Sequence, residues 1–129
     1  MTPFQKLLNF NPTVKLLWRN ISEELEKDNY LSAQLKEEVR KTLAQVNGCL
    51  YCKAKGTPNP QLYDEKTAVC TGYAEAFLQS KGQTSPSVTN VLDKYLTKEE
   101  KDELLTFICF ITASQYLGAL HQLQPTITK

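Results

Sequence analysis

The chain has 129 residues, of which 41% are hydrophobic and 22% are charged. This length is usual for one domain, and the composition is too apolar for an intrinsically disordered chain. Its 15 Lys and Arg residues nearly balance its 14 Asp and Glu residues, which leaves a formal charge of +1 without the basic excess that attracts nucleic acid. We therefore predict a single domain over residues 1–129 that does not bind nucleic acid.

The first ten residues, MTPFQKLLNF, lack a long apolar run because polar residues interrupt them after at most two apolar ones. A secretory signal needs a continuous apolar segment, so we predict a cytoplasmic protein. In such a compartment most thiols stay reduced, so the four cysteines are not expected to form a disulfide scaffold.

Apolar residues at three- and four-residue steps predict a series of amphipathic helices. The first two stripes are Val14, Leu17, Ile21 and Leu25, then Leu35, Val39, Leu43 and Val46. The second helix should end at Asn47-Gly48, because glycine readily adopts the left-handed conformation of a helix C-terminus. A third stripe runs from Val69 to Leu78 and ends at Lys81-Gly82, and Ser85-Pro86 begins a fourth helix.

Thr97 and Glu100 fit a capping box, so a last helix should run from there to about His121. No segment shows the sustained two-residue alternation of a strand. The predicted fold class is therefore all-α with five or six helices, the sixth beginning at the cysteine pair Cys49 and Cys52.

The last helix is apolar almost all round between residues 104 and 111. Polar or small residues interrupt its apolar stretch, so it should fall short of a membrane span, and we predict no membrane partner. A helix that is apolar on every side must be covered, and in so small a domain the simplest cover is a second subunit. We therefore predict a homo-oligomer that uses this helix, with a central core helix of a monomer as the alternative.

The pair Cys49-Leu-Tyr-Cys52 places two thiols on the first turn of the predicted helix, close enough to bridge. Three interpretations are open. Half of a zinc site would need two further ligands, and Cys70, Cys109 and His121 are widely scattered. A redox dithiol would gain from the helix N-terminus and nearby lysines, which stabilise a thiolate. The third interpretation is two small apolar residues in a packed turn.

The other two cysteines, Cys70 and Cys109, lie on apolar stripes among aromatic and aliphatic neighbours. A free cysteine in such a place usually behaves as a small buried hydrophobic residue. We expect neither to be reactive.

Glu37 lies opposite the apolar stripe of its helix, on the side of Ala33 and Ala44. As a solvated carboxylate it would pair with Lys41, one turn later. Alternatively, the small residues Ala33, Ala44 and Gly48 let the cysteine-bearing turn approach, and Glu37 would then lie beside the thiols and accept their protons.

Glu37, followed after eleven residues by Cys49 within the segment QVNGCLYC, resembles the AhpD-like alkylhydroperoxidase and carboxymuconolactone decarboxylase superfamily. The resemblance covers the helix before the cysteine pair, the Asn-Gly turn and both cysteines. The layout is similar over residues 31–122, whereas residues 1–30 match only loosely and form an N-terminal helical arm.

This resemblance implies an all-helical fold, commonly assembled into trimers or hexamers, in which a Glu, two cysteines and a His form a proton relay. Glu37 fits the relay carboxylate, Cys52 the cysteine that attacks a peroxide or disulfide, and Cys49 the partner that closes the intramolecular bridge. A dithiol donor, either a protein or a small thiol, would return the electrons.

The chain departs from this pattern at the relay histidine, which falls at Gly56, while the histidine often found before the second cysteine is Tyr51. Tyrosine, with a pKa of about 10, is a poor general base at neutral pH, so peroxide reduction should be weak. Glu37 would act directly or through water. The single histidine, His121, could reach the site through folding or from a neighbouring subunit, and otherwise serves as a dipole partner at its helix C-terminus.

The decarboxylase activity of the superfamily would need a pocket for a dicarboxylate lactone, with an arginine to hold it. Arg19 and Arg40 are the two arginines of the chain, and we expect Arg40 to be a surface charge.

We thus predict an antioxidant thiol oxidoreductase with Cys49, Cys52 and Glu37 as catalytic residues and with no bound metal or cofactor. Its substrate would be a peroxide or a disulfide. The alternative is a non-catalytic protein of the same fold, kept for binding or assembly.

Overall fold

The computed structural model describes residues 1–125, which form α-helices and connecting segments with no β-strand among them. Over these residues the seven α-helices are α1 (Pro3–Lys6), α2 (Pro12–Glu26), α3 (Ala33–Ala44), α4 (Leu50–Lys53), α5 (Glu65–Ser80), α6 (Pro86–Tyr95) and α7 (Lys98–Leu120). A short 3-10 helix, Pro60–Leu62, lies between α4 and α5. The all-α prediction is confirmed. The predicted five or six helices omit α1, a single turn too short to show a periodic pattern.

The helix ends follow the capping residues of the sequence. Thr97 and Glu100 form the predicted capping box of α7, and Thr2 and Gln5 form another at α1. At the end of α5, Lys81 takes a left-handed conformation with φ 55°, and Gly82 follows at φ 84°. The predicted boundary at Lys81-Gly82 is therefore confirmed.

The core lies where α3, α5 and α7 pack together, with α6 against α5 and α7. Val39 and Leu43 of α3 are completely buried at its centre, and Leu104 and Phe107 of α7 face them. Cys70 of α5 is also completely buried in this core, as the sequence predicts.

Helix α2 packs less closely than the helices of the core, because none of its residues is buried, as is also the case for the short α1. Trp18 stacks on Phe110 of α7, with ring centroids 5.3 Å apart, and Leu25 touches the core. Leu17 and Ile21 of the predicted stripe stay 61% and 43% exposed. Helix α2 is therefore amphipathic as predicted, but Trp18 and Leu25 contact the rest of the domain while Leu17 and Ile21 stay largely exposed.

Helix α7 has 23 residues and is, by length and composition alone, long and apolar enough to cross a membrane. The expectation that it falls short is wrong, because its few Thr, Ser and Gly residues leave it apolar enough on average. The core helix of a soluble protein passes the same test. Here the inward side of α7 supplies Phe107, Ile108 and Ile111 to the core.

The opposite side of α7 carries exposed residues at helical spacing, namely Cys109, Ala113, Tyr116 and Leu120. The prediction that Cys109 is buried is therefore wrong. Its neighbours Ile108 and Phe107 turn inward, and at about 100° per residue the next position faces away from the core.

Candidate functional site

The cysteine pair lies at the start of α4, in residues 48–52, which we call the cysteine turn. The segment after α3 reverses at Gly48, whose φ of 83° favours glycine, and Cys49 is the N-cap of α4. Cys49 and Cys52 form a disulfide, with their Cα atoms 5.2 Å apart. The predicted placement of both cysteines on one first turn is confirmed. Because α4 has four residues, it supplies only part of the dipole field of a long helix.

Cys49 is sealed beneath α7. It is 1% exposed, and its sulfur accepts a hydrogen bond from the backbone N–H of Cys52 at 3.2 Å. A methyl group on Gly118 would lie 2.5 Å from Cys49 Sγ and 3.7 Å from Cys52 Sγ. Helix α7 can therefore lie over the disulfide because residue 118 has no side chain.

Small residues also bring α3 close to the pair. Ala44, at the end of α3, is 1% exposed and packs in one cluster with Cys49, Tyr51 and Cys52. Gly48 faces Ala119, because a methyl group on Gly48 would lie 3.7 Å from the Ala119 side chain. The predicted approach of the cysteine-bearing turn is confirmed at Ala44, whereas Gly48 makes an ordinary contact with α7 and Ala33 lines a different cavity, beside Glu37.

Cys52 opens toward a cavity of about 300 Å³ that lies between the N-terminal arm, the cysteine turn and α7. One wall is aromatic: Trp18 lies between Phe4 and Phe110, with centroid distances of 6.5 and 5.3 Å. Tyr51 lines the cavity beside Cys52, whereas Cys49 does not line it. Both cysteines are buried, but Cys52 is 9% exposed and Cys49 is 1% exposed, so Cys52 alone of the pair borders the cavity.

Arg40 is buried against the cysteine turn and is 9% exposed, so the prediction of a surface charge is wrong. Its Nη1 donates a hydrogen bond to the Cys52 carbonyl oxygen at 3.1 Å, and its Nε and Nη2 donate to the Glu37 carboxylate. Arg40 also lines the cavity. Arg40 lies on the side of α3 that the cysteine turn covers. The spacing of apolar residues in α3 does not by itself reveal this cover.

Glu37 lies on the same side of α3 as Arg40, and its side chain is 47% exposed. It pairs with Arg40, whereas Lys41 pairs with Glu38 at 2.9 Å, so the expected Glu37–Lys41 pair does not form. Burial opposes the ionisation of Glu38, but hydrogen bonds from Asn59 and Lys41 lower its pKa overall. Glu37 is therefore connected to the cysteine turn through the guanidinium of Arg40.

A buried amide pair holds the turn against α7. Gln115 is 2% exposed; its Oε1 accepts from Asn47 Nδ2 at 2.8 Å, and its Nε2 donates to the Arg40 carbonyl at 3.2 Å. Sequence reasoning missed this function of Gln115. The available signal was a single amide among the apolar residues of α7.

The remaining thiols and the histidine lie away from this arrangement. Burial, with a smaller contribution from Glu100, raises the pKa of the Cys70 thiol to about 12. His121 is the exposed C-cap of α7, one turn beyond Gly118. Within residues 1–125, no group of three or more His, Cys, Asp or Glu side chains could hold a metal ion.

Gly56, where the relay histidine of the resembled family would fall, has a φ of 135°. Side chains rarely adopt this conformation, and a methyl group there would lie 3.3 Å from Lys41 Cε. A histidine at this position would therefore strain the loop.

No protein-family model, no curated protein and no solved structure matches this chain. Membership of the AhpD-like family thus stays a prediction that depends on the residues around the cysteine turn.

Proposed function

We propose that this protein is a cytoplasmic thiol oxidoreductase of the AhpD-like type, which cycles Cys49 and Cys52 between dithiol and disulfide. The observation that carries the proposal is the bridged pair with Cys52 at an open cavity and Cys49 sealed beneath α7. A dithiol enzyme needs this asymmetry, because one sulfur must meet the substrate and the other must stay within reach.

The attacking sulfur in this proposal is that of Cys52. With a hydroperoxide, the Cys52 thiolate takes the terminal oxygen, the O–O bond breaks, and an alcohol leaves once its oxygen is protonated. Cys49 then attacks the resulting sulfenic acid, forming the disulfide and releasing water. A dithiol donor returns two electrons and two protons by thiol–disulfide exchange.

In this proposal Arg40 supplies the positive charge near Cys52 that the missing histidine of the relay would otherwise supply. Its guanidinium is buried, bonded to the Cys52 carbonyl and paired with Glu37, so the part of its charge that Glu37 does not offset acts near the cysteine pair with little water. An arginine side chain stays protonated in proteins, so it favours the Cys52 thiolate without accepting a proton. Glu37 positions Arg40 and assists proton transfer, directly or through water.

The first test is the reduction potential of the pair, measured by thiol counting in glutathione or dithiothreitol buffers. A Cys109→Ser background removes the exposed thiol. We expect a reversible two-electron transition at roughly −200 to −300 mV, lost in Cys49→Ser. If no disulfide forms in any buffer, the catalytic proposal fails and the non-catalytic alternative stands.

A second test addresses the weak peroxidase activity expected without a histidine. Gly56→His is strained, so we choose Tyr51→His, which places an imidazole at the cavity beside Cys52. Peroxide turnover should rise about tenfold or more, and Tyr51→Asn, which is similar in size but does not titrate, should not reproduce the gain. Equal rates in both variants would show that the missing base is not the limitation.

Arg40 can be tested by titrating thiolate absorbance in the reduced protein. Arg40→Gln should shift the titration of the pair to higher pH, whereas Arg40→Lys, which retains a positive charge, should shift it less. An unchanged titration in Arg40→Gln would contradict the electrostatic role of Arg40.

We also propose that the outward side of α7 forms the interface of a homo-oligomer, a trimer or hexamer. Tyr116 and Leu120 are 53% and 82% exposed there, on the side opposite to Gly118. Light scattering should give a mass that is a multiple of 14.6 kDa, and Tyr116→Glu should lower the measured mass. A 14.6 kDa species in the unmodified protein would end this proposal.

A further inference from the structure

We propose that the cavity beside Cys52 is a binding site for a small organic anion with an aromatic or alkyl body. This inference deepens the proposed function by naming the chemical class of its substrate. The site follows from three features of the cavity: its aromatic wall, the charges at its rim and the position of Cys52.

The aromatic wall of the cavity determines what kind of apolar group the ligand carries. Phe4, Trp18 and Phe110 form a continuous row of tilted rings along the cavity. Such a surface binds flat or extended apolar groups, because aromatic rings favour offset and tilted contacts with one another. The volume of about 300 Å³ is at the lower end for ligand pockets, so the ligand is small.

The charged residues at the rim of the cavity determine whether the preferred ligand is an anion or a cation. Two of the lining cations already have carboxylate partners, since Arg19 pairs with Glu23 and Arg40 with Glu37. Glu26, the other lining carboxylate, accepts a hydrogen bond from the Ser22 hydroxyl and keeps its negative charge, so it offsets one of the two remaining lining cations.

The two lining lysines have neutral neighbours. The ammonium of Lys15 donates to Asn9 Oδ1 at 3.0 Å, and that of Lys55 lies 4.5 Å above the centre of the Tyr51 ring. Neither contact neutralises the positive charge. An anionic group at the rim would gain from both lysines.

The position of Cys52 connects this site to chemistry. Lys55 follows Cys52 by three residues, and both residues line the cavity together with Tyr51. A ligand that meets Lys55 and the Trp18 side of this cavity therefore shares the cavity with Cys52. The suited substrates are hydroperoxides and disulfides that carry a carboxylate.

The binding test uses the oxidised protein, in which Cys49 and Cys52 have no free thiol to react with a ligand. The chain has one tryptophan, and because Trp18 lines the cavity, its fluorescence reports occupancy. The ligands are phenylbutyrate and phenylbutanamide, which have nearly the same shape but differ in charge. We expect the carboxylate to bind about tenfold more tightly at low salt, since each exposed ion pair contributes up to about threefold to fivefold.

The matched variants are Lys55→Met and Lys53→Met, of which Lys55 alone lines the cavity. Lys55→Met should reduce the preference for the carboxylate to about threefold, and adding Lys15→Met should abolish it. Lys53→Met should retain it, although this lysine lies on the same turn. Equal binding of acid and amide, equal loss in both single variants, or an unchanged Trp18 signal would each overturn the site.

The reactivity test uses the reduced Cys109→Ser protein with two aromatic disulfides, anionic dithiobis(nitrobenzoate) and neutral dithiodipyridine. In both reactions Cys52 breaks the reagent disulfide and releases one aromatic thiol, and Cys49 then releases the second as the protein disulfide forms. We expect the reaction with the anionic reagent to be favoured severalfold relative to the same protein in urea, Lys55→Met to reduce this advantage, and the Lys15→Met and Lys55→Met double variant to remove it. An equal ratio in folded and unfolded protein would contradict the proposal.

The two tests separate this inference from the proposed function. Cysteines that cycle without any preference for anions retain the oxidoreductase and overturn the site. A preference for phenylbutyrate in a protein whose cysteines never cycle retains the site and overturns the oxidoreductase.

Discussion

Replacement of Gly118 by alanine should make the disulfide easier to reduce. The new methyl group would lie 2.5 Å from Cys49 Sγ, closer than a carbon and a sulfur can pack. In the disulfide, the Cys49 sulfur is fixed by its bond to Cys52. In the dithiol it can rotate away, so the clash falls mainly on the oxidised state.

The size of the effect follows from the cost of overpacking, which is about 1–3 kcal/mol for one methyl group. If the oxidised state alone bears this cost, the reduction potential rises by roughly 20–60 mV, since 30 mV corresponds to about 1.4 kcal/mol. The intrinsic gain of alanine over glycine in a helix is equal in both states and cancels from the potential.

The assay is equilibration of both redox forms in glutathione buffers, together with urea unfolding of each form. Gly72→Ala is the matched control, because a methyl group at Gly72, within α5, meets nothing within 4 Å. It should stabilise both forms by about 0.5–1 kcal/mol and leave the potential unchanged. If Gly118→Ala also leaves the potential unchanged while both forms lose stability equally, α7 has moved as a unit and the reasoning about Cys49 is refuted.

Three further predictions concern buried polar groups. Gln115→Leu should lower the free energy of unfolding in urea by about 1–3 kcal/mol, because it leaves buried partners unsatisfied. Thr112→Val should leave that free energy unchanged, since the buried Thr112 hydroxyl has no partner among the described residues. Equal losses of stability in the two variants would contradict this reasoning. Hydrogen bonds from Lys66 and Thr97 outweigh the opposing effect of burial and lower the pKa of Glu100 below its ordinary 4.5. The contribution of the ionised Glu100 to the free energy of unfolding is therefore complete above pH 4.5 and is lost as the pH falls through the lowered pKa of the folded state. Glu100→Gln should thus be less stable than wild type at neutral pH and differ little from it in strong acid. In the reduced protein near neutral pH, Cys109 should react with a thiol reagent while Cys70, with a pKa of about 12, stays silent until urea unfolds the chain; early labelling of Cys70 would contradict its burial.

Much of the local structure could be predicted from neighbouring residues. The capping box at Thr97 and the boundary at Lys81-Gly82 depend on side chains within four residues of each other. The spacing of Cys49 and Cys52 likewise fixes their shared turn. These features are determined locally, because a cap or a left-handed residue acts on the adjacent backbone.

The exposure of single residues could not be predicted in the same way. Arg40 and Cys109 were assigned to the wrong environments, although both lie on correctly predicted helices. Periodicity gives the direction of one apolar stripe, but the cover on the remaining faces depends on which other elements return to them. The cysteine turn covers the flank of α3 at Arg40, and nothing in the described residues covers Cys109.

The sequence by itself determined the all-helical class, the start of α7, the end of α5 and the position of a cysteine pair on a helix turn, whereas α3 ends at Ala44, before the predicted Asn47-Gly48, and leaves Val46 of its predicted stripe exposed. Tertiary structure alone decided that Gly118 lies against Cys49, that Cys52 opens to an aromatic cavity and that Arg40 connects Glu37 to the cysteine turn. The physical reason is distance along the chain. Helix formation and capping act between residues a few positions apart, whereas Gly118 and Cys49 meet only after the whole chain has packed.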